Sequence, residues 1–255
     1  MSRPAGGGRD LDAVLFDWGD TLVHFPGYTT SYETHRECLE TLHDELAAGL
    51  QHDCFARAGI EWPRFLAAYE SVCAAQLAFS RETQREHRLQ DRFTETLRQA
   101  GCACPLDEPG VDRITLRFAE LLLSRAHPME GAHEVLAALS ARYRLGVVAN
   151  YPMPHVVLAS LERFELRPYL PTVVISGALG WVKPSLHPFR QALRELGATP
   201  DRTLFVGDDL ANDMRGAKAA GLTTAWLTGS GRAPREPAVD YHLAQLTDVL
   251  QIARP

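Results

Sequence analysis

An α/β fold built on one open parallel sheet is what this 255-residue chain predicts. Three observations carry that reading. Short runs, apolar on both faces, recur at 13–16, 145–149, 172–175, 204–206 and 223–227. A strand covered on both sides needs such a run. Helical patterns alternate with these runs, at 132–141, 156–164, 187–196 and 213–220. Strands alternating with helices make right-handed βαβ units, and therefore parallel pairing. The long stretch between the first and second runs carries helical spacing and no convincing strand.

Taken in order, residues 1–10 are rich in glycine and polar side chains and read as a flexible tail. The first strand, 13–16, ends abruptly in Asp17. Beyond it, apolar residues fall at helical intervals: Phe65, Leu66, Tyr69, Val72 and Cys73, then Ile114, Leu116, Phe118, Leu121 and Leu122. Breaks at 59–63 and 101–109 divide this stretch into four or more helices. The expected organisation is a Rossmann-like α/β core from 11–24 and 128–255, helices on both faces of its sheet, with an inserted all-helical cap at 25–127. A loop at 229–237 leads to a last short strand at 241–243.

Composition narrows the class. The chain is 45% hydrophobic and 23% charged, enough to bury a core, and its formal net charge of −6 argues against duplex nucleic acid as a partner. Its five cysteines, Cys38, Cys54, Cys73, Cys102 and Cys104, are odd in number and lack the spacing of a zinc site. They read as reduced thiols of a cytoplasmic protein. No N-terminal apolar stretch suggests a signal peptide, and no run approaches the ~18 apolar residues that span a bilayer, so a membrane is not an expected partner.

In an open parallel sheet, ligands bind beyond the carboxyl ends of the strands. The residues there are Asp17 to Thr21, Asn150, and Gly207-Asp208-Asp209 with Asp213 following. Carboxylates gathered from distant segments repel one another unless a cation sits among them. An oxygen-only set suits Mg²⁺, which takes one or two carboxylates and often a substrate phosphate. The simpler alternative is that Asp17 and Asp208 cap the helices that follow them.

Four segments in order resemble the motifs of the haloacid dehalogenase superfamily: FDWGDTL (16–22), VVANY (147–151), WVKPSLHPF (181–189) and FVGDDLANDMRGAKAAGL (205–222). The resemblance covers nearly the whole chain and implies a hydrolase acting on a small, phosphorylated substrate, the helical insertion corresponding to the family's mobile cap. It implies that Asp17 is the nucleophile that forms an aspartyl intermediate. Asp17, the backbone carbonyl of Gly19 and Asp208 would hold Mg²⁺, with Asp213, and Asp209 beside it, ordering the metal's waters. Lys183 would neutralise the carboxylates and bind the anion, and Asn150 would complete the catalytic set.

Two positions depart from the family's phosphatases. Gly19 stands where an aspartate acts as general acid and base, leaving Asp20, one residue on, as the candidate acid. Ala149 stands where a Ser or Thr hydroxyl holds the phosphoryl group. Both departures keep two other readings open: hydrolysis at carbon, as in 2-haloacid dehalogenases, and a binding or regulatory protein that has lost turnover. His24, Tyr28, His35 and the mixed-charge stretch 81–92 read as solvated helix positions, and Trp18 as either pocket wall or core.

Overall fold

The computed structural model describes residues 11–26, 33–49, 53–102, 108–229 and 234–253. The tail at 1–10 and Tyr28 lie outside these residues. The chain runs through β1 (Ala13–Phe16) and β2 (Val23–His24) into the helices α1 (Glu33–Ala47), α2 (Asp53–Ala58), α3 (Trp62–Thr83), α4 (Leu89–Ala100) and α5 (Glu108–Arg125). It returns through β3 (His127–Pro128), α6 (Ala132–Ser140), β4 (Arg144–Ala149), α7 (Pro154–Arg163), β5 (Thr172–Ile175), α8 (Ser176–Leu179) and α9 (Leu186–Leu196). Then follow β6 (Thr203–Gly207), α10 (Arg215–Ala219), β7 (Thr223–Leu227) and β8 (Tyr241–Leu243).

Six strands form one sheet in the order β5-β4-β1-β6-β7-β8, every pair parallel. The chain therefore builds outward in both directions from β1. The crevice where strand order reverses, at the carboxyl ends of β4, β1 and β6, is where such a sheet binds ligands. Alternation along β1 assigns its side chains to two layers. Ala13 and Leu15 pack with Phe189, Phe205 and Met214 on one face. Val14 and Phe16 join Leu136, Val156 and the interior of the helical insert on the other. The sheet thus has helices on both faces.

Within the insert, Phe93 meets Phe118 edge-on at 5.3 Å and Tyr69 at 5.8 Å, which joins α3, α4 and α5. Leu116, expected in that interior, is instead 50% exposed. It lies two residues from both Ile114 and Phe118, a step of about 200° around a helix, so it faces away from the side those two bury. The two-residue ribbon β2–β3, too short to leave a sequence pattern, pairs Val23 with Pro128 and His24 with His127. It ties together the two ends of the insert. Pro63 opens α3, and Gly101, at φ 99°, closes α4, as the breaks in the pattern anticipated. The helix expected at 213–220 begins earlier, as a wide π turn over Leu210–Met214 leading into α10. Among the described residues, no helix is long and apolar enough to cross a membrane.

Candidate active site

Asp17 leaves the sheet still held by it, its N–H donating to the Val206 carbonyl at 2.8 Å. The turn that follows closes on Trp18, whose carbonyl accepts from Leu22 at 3.0 Å and Val23 at 2.9 Å. Trp18 itself belongs to the core. Its indole N–H donates to Ser160 Oγ at 2.9 Å, and its ring meets Tyr151 edge-on at 4.8 Å. Asp20 takes the left-handed conformation, φ 51°, which an aspartate tolerates better than most residues. Its carboxylate lies 2.7 Å from His24 Nδ1. A Cβ built on Gly19 would meet no atom within 4 Å. The position that lacks a carboxyl therefore has room for one.

Asp17, Asp208 and Asp213 converge, with one carboxylate oxygen from each lying within 4.8 Å of the others. β1 and β6 are neighbours, Phe16 beside Val206, so the residues following them emerge together. Asp213 arrives by the π turn. Asp209 caps that turn, accepting from Ala211 N at 2.7 Å and Asn212 N at 2.9 Å, and its N–H donates to Asp213 Oδ2 at 3.1 Å. Gly207 makes the approach possible: a Cβ there would fall 2.3 Å from Asp213 Oδ2. In the sequence Gly207 stands only as one member of a Gly-Asp-Asp motif. The signal available was a glycine directly before paired aspartates, a mark of close backbone approach.

Lys183 is 2% exposed. Its ammonium ion-pairs with Asp17 and with Asp213 Oδ1, at 2.7 Å. Those carboxylates hold its pKa above the ordinary lysine value against the opposing effect of burial. Burial, with the neighbouring Asp17 charge, pushes Asp208 up to about 8. Asp213 is pushed up to about 7, burial again the larger cause, and the Asp17 carboxyl is raised for the same reason. With all three carboxyls ionised, the single lysine leaves two negative charges, the complement of one divalent cation. Such an oxygen-only set, crowded enough to raise its own proton affinity, fits Mg²⁺.

Asn150, expected among the catalytic residues, grips the main chain of Lys183 from both sides. Its Oδ1 accepts from Lys183 N at 2.7 Å, and its Nδ2 donates to Lys183 O at 3.0 Å. It thereby fixes the backbone from which the lysine extends. Ala149, buried at the end of β4, presents only a methyl group. Beyond these residues opens a cavity of about 980 Å³ between core and insert, lined by Lys183, Asn150 and Asp209 on one side and by His35, Tyr69 and Arg92 on the other. His35 is half-buried at the cavity wall, and burial with the Arg92 charge pushes its pKa down to about 4. Cys73 also lines this cavity; Cys38 and Cys102 are buried thiols.

Known proteins resemble this chain in sequence and in fold. Residues 11–221 match the model of the haloacid dehalogenase-like hydrolases. The chain is 34% identical over 148 residues to the pyrimidine 5'-nucleotidase YjjG of Escherichia coli, 57% of this chain and 64% of that enzyme. It is 28% identical over 162 residues to the phosphoserine phosphatase of Thermus thermophilus, 62% of this chain and 61% of that one. These matches span less than two thirds of the relatives' own lengths. Among solved structures, the HAD-hydrolase YfnB of Bacillus subtilis superposes with a TM-score of 0.64 at 20% identity, over 96% of this chain and 99% of that one. A 2-haloacid dehalogenase of Pseudomonas syringae superposes with a TM-score of 0.70 at 20% identity, over 95% and 97%.

Proposed function

The chain belongs to the haloacid dehalogenase-like hydrolases, and from that premise we propose that it is a Mg²⁺-dependent phosphatase acting on a small phosphate monoester through Asp17. One observation carries this reading: three carboxylates share a buried site with a single lysine, leaving the charge that one divalent cation balances. Hydrolysis at carbon, as in 2-haloacid dehalogenases, needs no metal and so gives such a cluster no cation to hold. Gly19 is what favours that second reading, because no carboxyl stands there to protonate a leaving oxygen.

In the proposed reaction, an Asp17 oxygen attacks phosphorus, the phosphorus–oxygen ester bond breaks, and the alcohol oxygen departs with the bonding pair. Water then attacks the aspartyl phosphate at phosphorus, regenerating Asp17 and releasing inorganic phosphate. Lys183 orients Asp17 and offers its ammonium to the phosphoryl oxygens, while Asn150 holds the Lys183 backbone in place. Asp17, the Gly19 carbonyl and Asp208 would hold the ion, and Asp213 would order its waters and Lys183 together. Mg²⁺, when bound, supplies charge neutralisation for the phosphoryl oxygens. Asp20, paired with His24, is the carboxyl nearest in sequence to the vacant acid position. The helical insert serves as a cap whose side of the cavity selects the ester's alcohol part.

The test is a screen of phosphorylated metabolites with and without Mg²⁺, with Asp17→Asn as control. Mg²⁺-dependent phosphate release that vanishes in Asp17→Asn is the expected result. Turnover of 2-haloacids without metal would replace this reading with the carbon-directed one.

A further inference from the structure

Core and insert meet at a further place besides the β2–β3 ribbon and the packing of α5 on α7. After α3 the chain turns at Gln84, φ 57°, and residues 84–86 lie antiparallel to 180–182. Val182 N–H donates to the Gln84 carbonyl at 3.0 Å, and Glu86 N–H donates to the Gly180 carbonyl at 3.2 Å. Arg85 and Trp181 form the pair between them. The Arg85 guanidinium lies 3.6 Å from the Trp181 ring centroid, and that ring stacks on His187 at 4.0 Å with an interplanar angle of 6°. Glu86 accepts from Ser176 Oγ of the core at 2.5 Å.

The next residue after Val182 is Lys183. The segment that docks the insert thus runs directly into the lysine paired with Asp17 and Asp213, and both Glu86 and Val182 line the 980 Å³ cavity. We infer that residues 84–86 are a releasable latch. Its opening admits substrate beneath the insert, and its closure, through Val182, fixes the main chain that aims Lys183 at Asp17. Arg85 and Trp181 are positioning residues for the reaction. The inference rests on the cavity being the substrate site.

Pairing without mutual hydrogen bonds places the Cα atoms of such partners about 4.5 Å apart, within disulfide reach. Arg85→Cys combined with Trp181→Cys therefore makes a reversible lock, its bond verified by peptide mapping. Oxidation is expected to slow Mg²⁺-dependent hydrolysis of p-nitrophenyl phosphate by about tenfold or more, with full recovery on reduction, because a latched cap obstructs entry and release. Equal rates in the two forms would overturn the latch. Arg85→Ala gives a second measurement independent of turnover. Hydrogen exchange at the Val182 and Glu86 amides is expected to quicken by about tenfold and to return toward wild type in Arg85→Lys, which keeps a cation over the indole. Unchanged exchange in Arg85→Ala would also overturn it. Failure of every form to hydrolyse any ester would count against the phosphatase reading, and exchange would then decide the latch alone.

Discussion

Beneath the carboxyl edge of the sheet, the core buries Lys183 against Asp17 and Asp213. The helical insert buries its polar groups differently. His43 lies among Phe55, Trp62 and Phe65, its Nε2 donating to the Ile60 carbonyl at 2.8 Å, and His35 is kept neutral by its pKa of about 4. The insert's ion pair from Arg117 to Glu45, 2.7 Å long, lies nearer its surface. Buried charges are costly unless neutralised within the site, so a fold retains them where chemistry uses them. The contrast fits the proposed division, phosphoryl chemistry in the core and selection by shape in the insert, and each can be disturbed separately.

The largest expected effect is at Asp17, the proposed nucleophile. Asp17→Asn keeps the side-chain volume but removes the attacking charge, and turnover of an aryl phosphate should fall on the order of 10⁴-fold or more. Steady-state kinetics with Mg²⁺ checks this, and residual activity near wild type would dismiss Asp17 as the nucleophile. Gly207→Ala comes next. Its methyl group would stand 2.3 Å from Asp213 Oδ2 and must displace the carboxylate that orients Lys183. A displacement of about 1 Å is expected to cost more than 10²-fold in kcat. Calorimetric titration of Mg²⁺ should show weaker binding in the same variant.

Much of this contrast was legible in the sequence. The five long strands announce themselves because burial on both faces demands uninterrupted apolar runs, and Asp17, Lys183, Asp208 and Asp213 stand at the ends of such runs or in motifs of fixed spacing. Other features depend on encounters between distant segments, which no local pattern encodes. The motif places Asn150 in the catalytic set, but its two hydrogen bonds to the Lys183 backbone join segments 33 residues apart. The pairing of Arg85 with Trp181 joins a mixed-charge stretch, read as solvated, to a core motif. The β2–β3 ribbon is two residues long, below the length at which alternation can be recognised.

A smaller effect tests how the core manages without a carboxyl at position 19. If no side chain protonates the leaving oxygen, rates should depend steeply on leaving-group acidity, with aryl phosphates fast and alkyl phosphates slow. The open space around Gly19 lets Gly19→Asp restore the group, and alkyl-ester turnover should rise by about 10²-fold. Asp20→Asn belongs beside it. Fast alkyl hydrolysis in the wild type, lost in Asp20→Asn, would instead make Asp20 the acid.

The smallest expected effect compares how the two regions respond to pH. In the core, burial raises Asp208 to about 8 and Asp213 to about 7. For carboxyls raised in the folded state, the native protein binds more protons than the unfolded chain. Their contribution is therefore present at low pH and lost as pH rises through those values. His35 has the opposite sign. Its pKa falls from 6.5 to about 4 on folding, so the unfolded chain binds more protons between those values, and stability present above pH 6.5 is lost as pH falls toward 4. At pH 5 the loss from this one group should reach about 2 kcal/mol. His35→Gln removes the titration while retaining a polar side chain beside Phe118, whose ring lies 5.6 Å from that of His35. Urea unfolding of both proteins at pH 8 and pH 5 isolates the term, because all other titrating groups are common to the pair. Wild type should lose about 2 kcal/mol more than His35→Gln over that interval. Parallel losses would mean that His35 is protonated within the fold at pH 5, and that the insert, like the core, holds a buried charge at its side of the cavity.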